Sequence, residues 1–273
     1  MCRLFGISRQ GIYQREKRSL KRYHELCKVK ELVVHERIDL PRLGTRKLLF
    51  NLQEAFLSHD IKIGRDGLFD YLRHQHMLIK PLRSYHKTTQ SKHWLHKHSN
   101  LIQGYHPEKP EQLWVADITY IETKEGMAYL SLITDAYSRK IVGHHLHDSL
   151  HTDDVIQSYQ KALKNRQYRH ALIHHSDRGL QYCSATYQSL HAKNGVICSM
   201  TDGYDCYQNA LAERINGILK HEFLIVKPNS FIQAKMMIDN AVKMYNEKRP
   251  HLALNYQTPN QVHEQQIVLA NIN

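Results

Sequence analysis

Three acidic residues stand where a globular chain seldom leaves an acid. Asp117 lies in the middle of the apolar run LWVADITYIE, where an unpaired charge is costly. Asp177 closes the run ALIHHSD, and Gly179 just after it allows a sharp exit or a close backbone approach. Glu213 belongs to NALAERINGILKHEF, where helical geometry at about 100° per residue sets Leu211, Ile215, Ile218 and Leu219 opposite it and brings Asn209 and Lys220 within about 40° of it. That face offers an amide, a carboxylate and an ammonium, although an ordinary amphipathic helix with a solvated polar side has the same pattern. Brought together, the three acids suit phosphodiester cleavage or transfer, in which two Mg²⁺ or Mn²⁺ ions about 3.5–4 Å apart activate the attacking oxygen and stabilise the leaving one. Such hard cations take oxygen ligands, and they also offset the repulsion among the carboxylates. Asp177 on a rigid strand end would then be a preorganised ligand.

The flanking sequence supplies the elements that must hold these acids. Three strand-like runs at 113–122, 127–137 and 140–148 are joined by short connections, which predicts an antiparallel meander. A helix begins near Thr152 with Asp153 and Asp154 in its first turn, where the macrodipole favours acids. The strand ending at Asp177, a helix over about Ala185–Asn194, the strand VICSM, and helices from about Asn209 and Ser230 complete an α/β domain with a mixed sheet flanked by helices.

The N-terminal third has a different character. Residues 1–98 hold 21 Lys and Arg against 9 Asp and Glu, and residues 99–273 hold 17 of each, so the whole net charge of +12 sits upstream. A basic module suits a polyanion such as nucleic acid, since phosphate neutralisation releases counterions; a solubilising basic surface is the plainer alternative. MCRLFGISRQGIYQ reads as the end of one helix, a turn at Gly6, and a second helix capped by Ser8. Thr45 is positioned to cap a helix carrying Leu48, Leu49, Leu52, Ala55 and Phe56, and a turn through Gly64 leads to a helix with Leu68, Phe69 and Leu72. With Arg46, Lys47, Lys62 and Arg65 between them, these helices suggest a helix-turn-helix-like DNA-binding element, or a basic helical hairpin. The predicted organisation is a basic helical region over 1–98, helix-turn-helix-like over about 39–80, a polar linker over about 81–112, and a catalytic core over 113–265.

With 273 residues and 41% hydrophobic content, the chain can bury one full core and a small second one. No run approaches the roughly 18–20 apolar residues of a membrane span. Five scattered cysteines without a CxxC pair predict free thiols in a reducing cytoplasm. The histidine clusters at 96–98 and 144–147 match no metal spacing and read as surface or packing residues.

WVADITY, HHSDRGLQY, NALAERINGILKHE and YNEKRPHLAL with the following TP resemble, in order and spacing, the catalytic region of insertion-sequence transposases in the retroviral-integrase superfamily, specifically the second-reading-frame product of two-frame bacterial elements. Asp177 and Glu213 are separated by 35 residues and Lys220 follows Glu213 by seven, as in that family. The helical region over 45–77 and SNLI at 99–102 extend the likeness to nearly the whole chain. The resemblance implies a ribonuclease H-like fold with Asp117, Asp177 and Glu213 holding two Mg²⁺ ions, nicking of the element's terminal inverted repeats, and attack of the freed 3′-hydroxyl on target DNA. It further implies that Lys220 contacts DNA, that Asn209 lies on the DNA side or supports the loop or Glu213, that the chain assembles as a homo-oligomer on DNA, and that an upstream-frame product is joined to it by a frameshift fusion. Its setting would be the bacterial cytoplasm, with the nucleoid when bound to DNA. The sequence departs from the family at Ala116, often threonine; at Arg178, often glutamine; and in the loop TDGYDCYQ, which lacks a basic RKG and carries Asp202 and Asp205. Two rival functions are a non-catalytic DNA-binding regulator, against which the intact acids argue, and a hydrolytic nuclease of the same fold.

Overall fold

A computed structural model of the chain describes residues 8–80, 95–202 and 209–270, the last five by backbone alone. The chain divides into two compact units, Met1–Pro81 and Leu82–Asn273. The possible helix end and Gly6 turn at the N-terminus lie outside the described residues.

The first unit is helical. Helix α1 (Arg9–Asp39) starts at Ser8, whose hydroxyl accepts from the Gly11 N–H, as predicted for its cap. Helices α2 (Thr45–Asn51) and α3 (Gln53–Ser58) are separated by Leu52, and α4 (Arg65–His74) follows from Gly64. Thr45 is not the cap: Gly44 takes that place without a side-chain bond, and Thr45 is buried in the first turn. Val29, Val33, Leu48, Phe56, Leu68 and Leu72 form the buried interior, and the Tyr71 hydroxyl donates to Leu26 O at 2.7 Å to fix α4 on α1.

The second unit is a five-stranded sheet in the order β3-β2-β1-β4-β5, from β1 (Leu113–Thr123), β2 (Gly126–Asp135), β3 (Ile141–His147), β4 (Leu172–Ser176) and β5 (Val196–Met200). Strands β1–β3 form the antiparallel meander, while β4 runs parallel to both β1 and β5. The β1–β4 ladder joins Leu113, Trp114 and Val115 to Ile173, His174 and His175 and extends no further, so the central strand continues past the end of β4. Helices α5 (Thr152–Lys164) and α6 (Ala185–Lys193) pack with Trp114, Ala116, Ile133 and Leu172 in one core. Helices α7 (Ala210–Ile218) and α8 (Phe231–Lys248) pack with Ile121, Leu130, Leu132 and Ile141 in another. Alternation along β1 feeds both cores, giving helices on both faces of the sheet. Gly143 is required where β3 meets α5, since a Cβ there would lie 2.3 Å from Ser158 O.

From Leu95 onward the stretch that reads as linker is attached to this unit. Met200 N–H donates to Ser99 O at 3.3 Å, Leu101 N–H to Ser199 Oγ at 2.9 Å, and Ile173 N–H to Gln112 O at 2.9 Å. Its bonds run through backbone and isolated side chains, which leave no periodicity to detect. Glu111 at its end is buried with Asp135, Ser138 and His263, the last on α9 (Pro259–Ala270), so this cluster ties the C-terminal helix to the sheet. His144 pairs with Asp239 and His145 stacks on His147, consistent with packing roles for that histidine cluster. Cys27, Cys183 and Cys198 are free thiols, while Cys2 and Cys206 lie outside the described residues. Among the described residues no helix is long and apolar enough to cross a membrane.

Candidate active site

Asp117 is on the part of β1 that has outrun the β4 ladder, and Asp177 is the first residue beyond β4. Glu213 is in the first turn of α7, which crosses this opening. The three acids feel one another. Burial pushes the Asp117 carboxyl up to about 7, the charges of Asp177 and Glu213 add to the rise, and bonds from Asn216 and the Ile118 N–H oppose it. Burial and then Asp177 likewise raise Glu213 above the ordinary carboxylate value. Coulomb repulsion in a partly desolvated opening makes the charged forms costly.

Asp117 and Asp177 are each oriented by a local hydrogen bond. The Asn216 amide donates to Asp117 Oδ2 at 2.7 Å. Asp177 Oδ1 accepts the Gly179 N–H at 3.0 Å in a tight turn, and a Cβ at Gly179 would stand 3.0 Å from that oxygen. Gly179 thus provides the close backbone approach its position suggests. Asn209 is buried at the start of α7 and donates to Ala116 O at 3.0 Å, registering the helix against the strand one residue before Asp117. Its amide is turned toward the sheet, a geometry that supports the helix rather than a DNA contact.

Lys220 comes within reach of the Asp117 charge, on the side its position in the sequence predicts, where the helix changes type. The helix does not remain α-helical through it: Leu219–Phe223 form one π-helical turn, closed by Leu224 N–H to Leu219 O at 3.0 Å. Lys220 is the second residue of that turn. It is half-buried, and burial lowers its ammonium pKa while the Asp117 charge draws it back up.

Two departures from the family pattern meet in space. Arg178 Nη1 donates to Asp202 O at 2.8 Å, and Nη2 lies 3.8 Å from Asp202 Oδ1, so the arginine and the loop acid compensate each other. Asp205 and the rest of the loop over 203–208 lie outside the described residues. In the first unit Arg46 is exposed, Lys47 is half-buried, and Arg65 is exposed with its Nε 2.7 Å from Asp66 Oδ1.

Sequence patterns did not single out Asn216 or Tyr182. Asn216 follows Glu213 by three residues and so shares a flank of the helix, a usable but weak signal. Tyr182 gives none: its buried hydroxyl has no hydrogen-bond partner, and burial, Tyr187, and then the charges of Asp117 and Asp177 all raise its pKa. Among the described residues no group of three His, Cys, Asp or Glu side chains is gathered tightly enough to hold an ion ready-made. The three acids nevertheless offer only oxygen donors, and the buried Asn216 Oδ1 and Tyr182 hydroxyl have no hydrogen-bond partner. This donor set fits a hard divalent cation and not a soft one.

Comparison with known proteins bears on the family and the fold. Integrase core domain families match residues 107–206 and 194–259. The chain is 35% identical to the insertion element IS600 uncharacterized 31 kDa protein of Shigella sonnei, over 95% of this chain and 96% of that protein. It is 30% identical to transposase InsF for insertion sequence IS3A of Escherichia coli (strain K12), over 92% and 88% of the two chains. Among solved structures, a simian T-cell lymphotropic virus intasome in complex with PP2A regulatory subunit B56 gamma aligns with a TM-score of 0.51 at 16% identity, covering 82% of this chain and 71% of that one. The likeness is one of fold, and the mixed sheet with helices on both faces is ribonuclease H-like.

Proposed function

From the premise that this chain belongs to the insertion-sequence transposases of the integrase superfamily, and so acts in DNA transposition and integration, we propose that Asp117, Asp177 and Glu213 are its catalytic acids. The family supports polynucleotidyl transfer in general; the particular residues and the metal dependence are our inference. The observation that carries it is the placement of Asp117 on β1 past the β4 ladder, Asp177 just after β4, and Glu213 on α7, whose Asn209 and Asn216 bond to Ala116 and Asp117.

The acids would hold two Mg²⁺ or Mn²⁺ ions, which when bound activate the attacking oxygen and stabilise the leaving one. This chain's own groups prepare that chemistry. Asn216 orients Asp117, Gly179 orients Asp177, and Asn209 sets the height of α7 and thereby of Glu213. Lys220 offers an ammonium to a phosphate beside Asp117. Arg46, Lys47 and Arg65 would add sequence-independent phosphate contacts from the first unit, although Arg65 must first release Asp66. Assembly as a homo-oligomer on terminal repeats and target DNA, fusion to an upstream-frame product, and a cytoplasmic site of action belong to the same proposal.

Mg²⁺-dependent joining of a DNA end, compared between the native chain and Asp177→Asn, tests it. Joining by the native chain alone, with DNA binding retained in both, is the expected result. Cleavage without joining would point to a nuclease, and binding without any chemistry to a regulator.

A further inference from the structure

Within YNEKRPH, Tyr245, Asn246, Arg249 and His251 are turned inward, while Glu247 and Lys248 are exposed. Asn246 on α8 brackets Ile141 at the start of β3, donating to its C=O and accepting its N–H, each at 2.9 Å. The hydroxyl of Tyr245, fully buried, donates to Arg139 O at 3.0 Å. At the end of α8, Arg249 is 3% exposed, and its Nε and Nη2 donate to the two carboxylate oxygens of Glu222 at 2.8 and 2.7 Å. Its Nη1 lies 3.0 Å from His251 Nε2, and its guanidinium stands 5.9 Å from the centre of the Tyr245 ring. Glu222 belongs to the π-helical turn that carries Lys220. A rigid series of links therefore runs from β3 through α8 to that turn. A π turn bonds less well than an α turn and occurs mostly as a single turn, frequently at functional sites. Leu219 and Phe223 of this turn pack into the core beside α8, and the fork from Arg249 is the polar contact on its outer side. The fork-to-fork pair holds the turn, because two parallel bonds fix angle as well as distance.

We propose that Arg249, acting through Glu222, is a positioning residue that keeps the π turn in place and so holds the Lys220 ammonium beside Asp117. The importance of that placement for DNA joining rests on the site reading above. The placement itself does not.

The full-length chain carrying Arg249→Lys keeps a buried cation but loses the fork; Glu222→Gln, altered on the more accessible partner, guards against a folding failure of the first. Modification of Lys220 by acetic anhydride is followed by peptide mass analysis, with the exposed Lys193 and Lys243 as internal controls. Lys220 labelling should rise severalfold in both variants while the controls stay constant. Unchanged Lys220 labelling in both would overturn the proposal. In DNA-end joining, Arg249→Lys should lower the rate about tenfold in a chain with Lys220 and have almost no effect in a Lys220→Ala background. An equal loss in both backgrounds would show Arg249 to be merely structural. If the native chain joins no DNA, the proposed chemistry fails, and labelling alone decides the positioning role.

Discussion

Replacing His263 by glutamine tests the cluster that anchors the C-terminal helix. His263 is 1% exposed, with Nε2 3.5 Å from Glu111 Oε1 and Nδ1 2.9 Å from Ser138 Oγ. The Ser138 hydroxyl donates to Asp135 Oδ2 at 2.6 Å and so must accept from His263, which makes both ring nitrogens donors. Burial is the largest influence and favours the neutral ring, but the bonds to Asp135 and Glu111 together outweigh it and raise the His263 pKa above the usual value. Removing the imidazolium leaves Glu111 with Arg166 3.8 Å away and both carboxylates with their N–H and hydroxyl donors, so the cost is that of a lost charged bond, about 1–3 kcal/mol. For a unit of this size each kcal/mol moves the midpoint by about 2–4 °C, so Tm should fall by roughly 2–12 °C. A raised pKa in the folded state means the stabilisation is complete below about pH 6.5 and fades as pH rises through the folded value. Thermal unfolding of the full chain between about pH 6 and 9 should therefore show this decline in the native protein and a flatter profile in His263→Gln. Equal midpoints, or native stability that climbs over that range, would refute a protonated bridge.

Gly179→Ala should lower DNA joining by up to about 10²-fold with little change in urea midpoint, because its methyl would stand 3.0 Å from Asp177 Oδ1 and displace that carboxylate. Gly143→Ala should do the reverse, losing about 1–3 kcal/mol or more on urea unfolding, since Ser158 O leaves no room for the new carbon. Asn216→Leu removes the bond that restrains the rise of Asp117 above about 7. With carboxylate needed and lost on acidification, the acid limb of the joining profile should move up by about 1–2 pH units.

The strands and the acids were legible for a common reason: a charge interrupting an alternating apolar run, or closing one, violates a simple local rule. Asp117 and Asp177 break that rule, and Glu213 was found through the apolar stripe opposite it. Features set by partners distant in sequence were not legible. The π turn at Leu219–Phe223 left no mark in the sequence, because residue type and apolar spacing do not distinguish it from a continued α-helix, while the wheel reading held for Ile215, Ile218 and Leu219. Glu111 resembled a linker acid because the residues that bury it come from Asp135, Ser138 and His263. Thr45 was a plausible cap on type alone, but packing required it one position later, inside the helix.

The early end of the β1–β4 ladder at Val115 and His175 has a consequence of its own. The sheet is forked there, and a fork presents two prongs to one gap where a zipped pair would present interlocked main chain. Ala116 O, freed on that side, is taken by Asn209, so the loss of strand pairing is also what seats the helix bearing the third acid. The shortness of β4 is thus a requirement in itself: lengthening the zip by a residue or two would close the cleft with every acid still present.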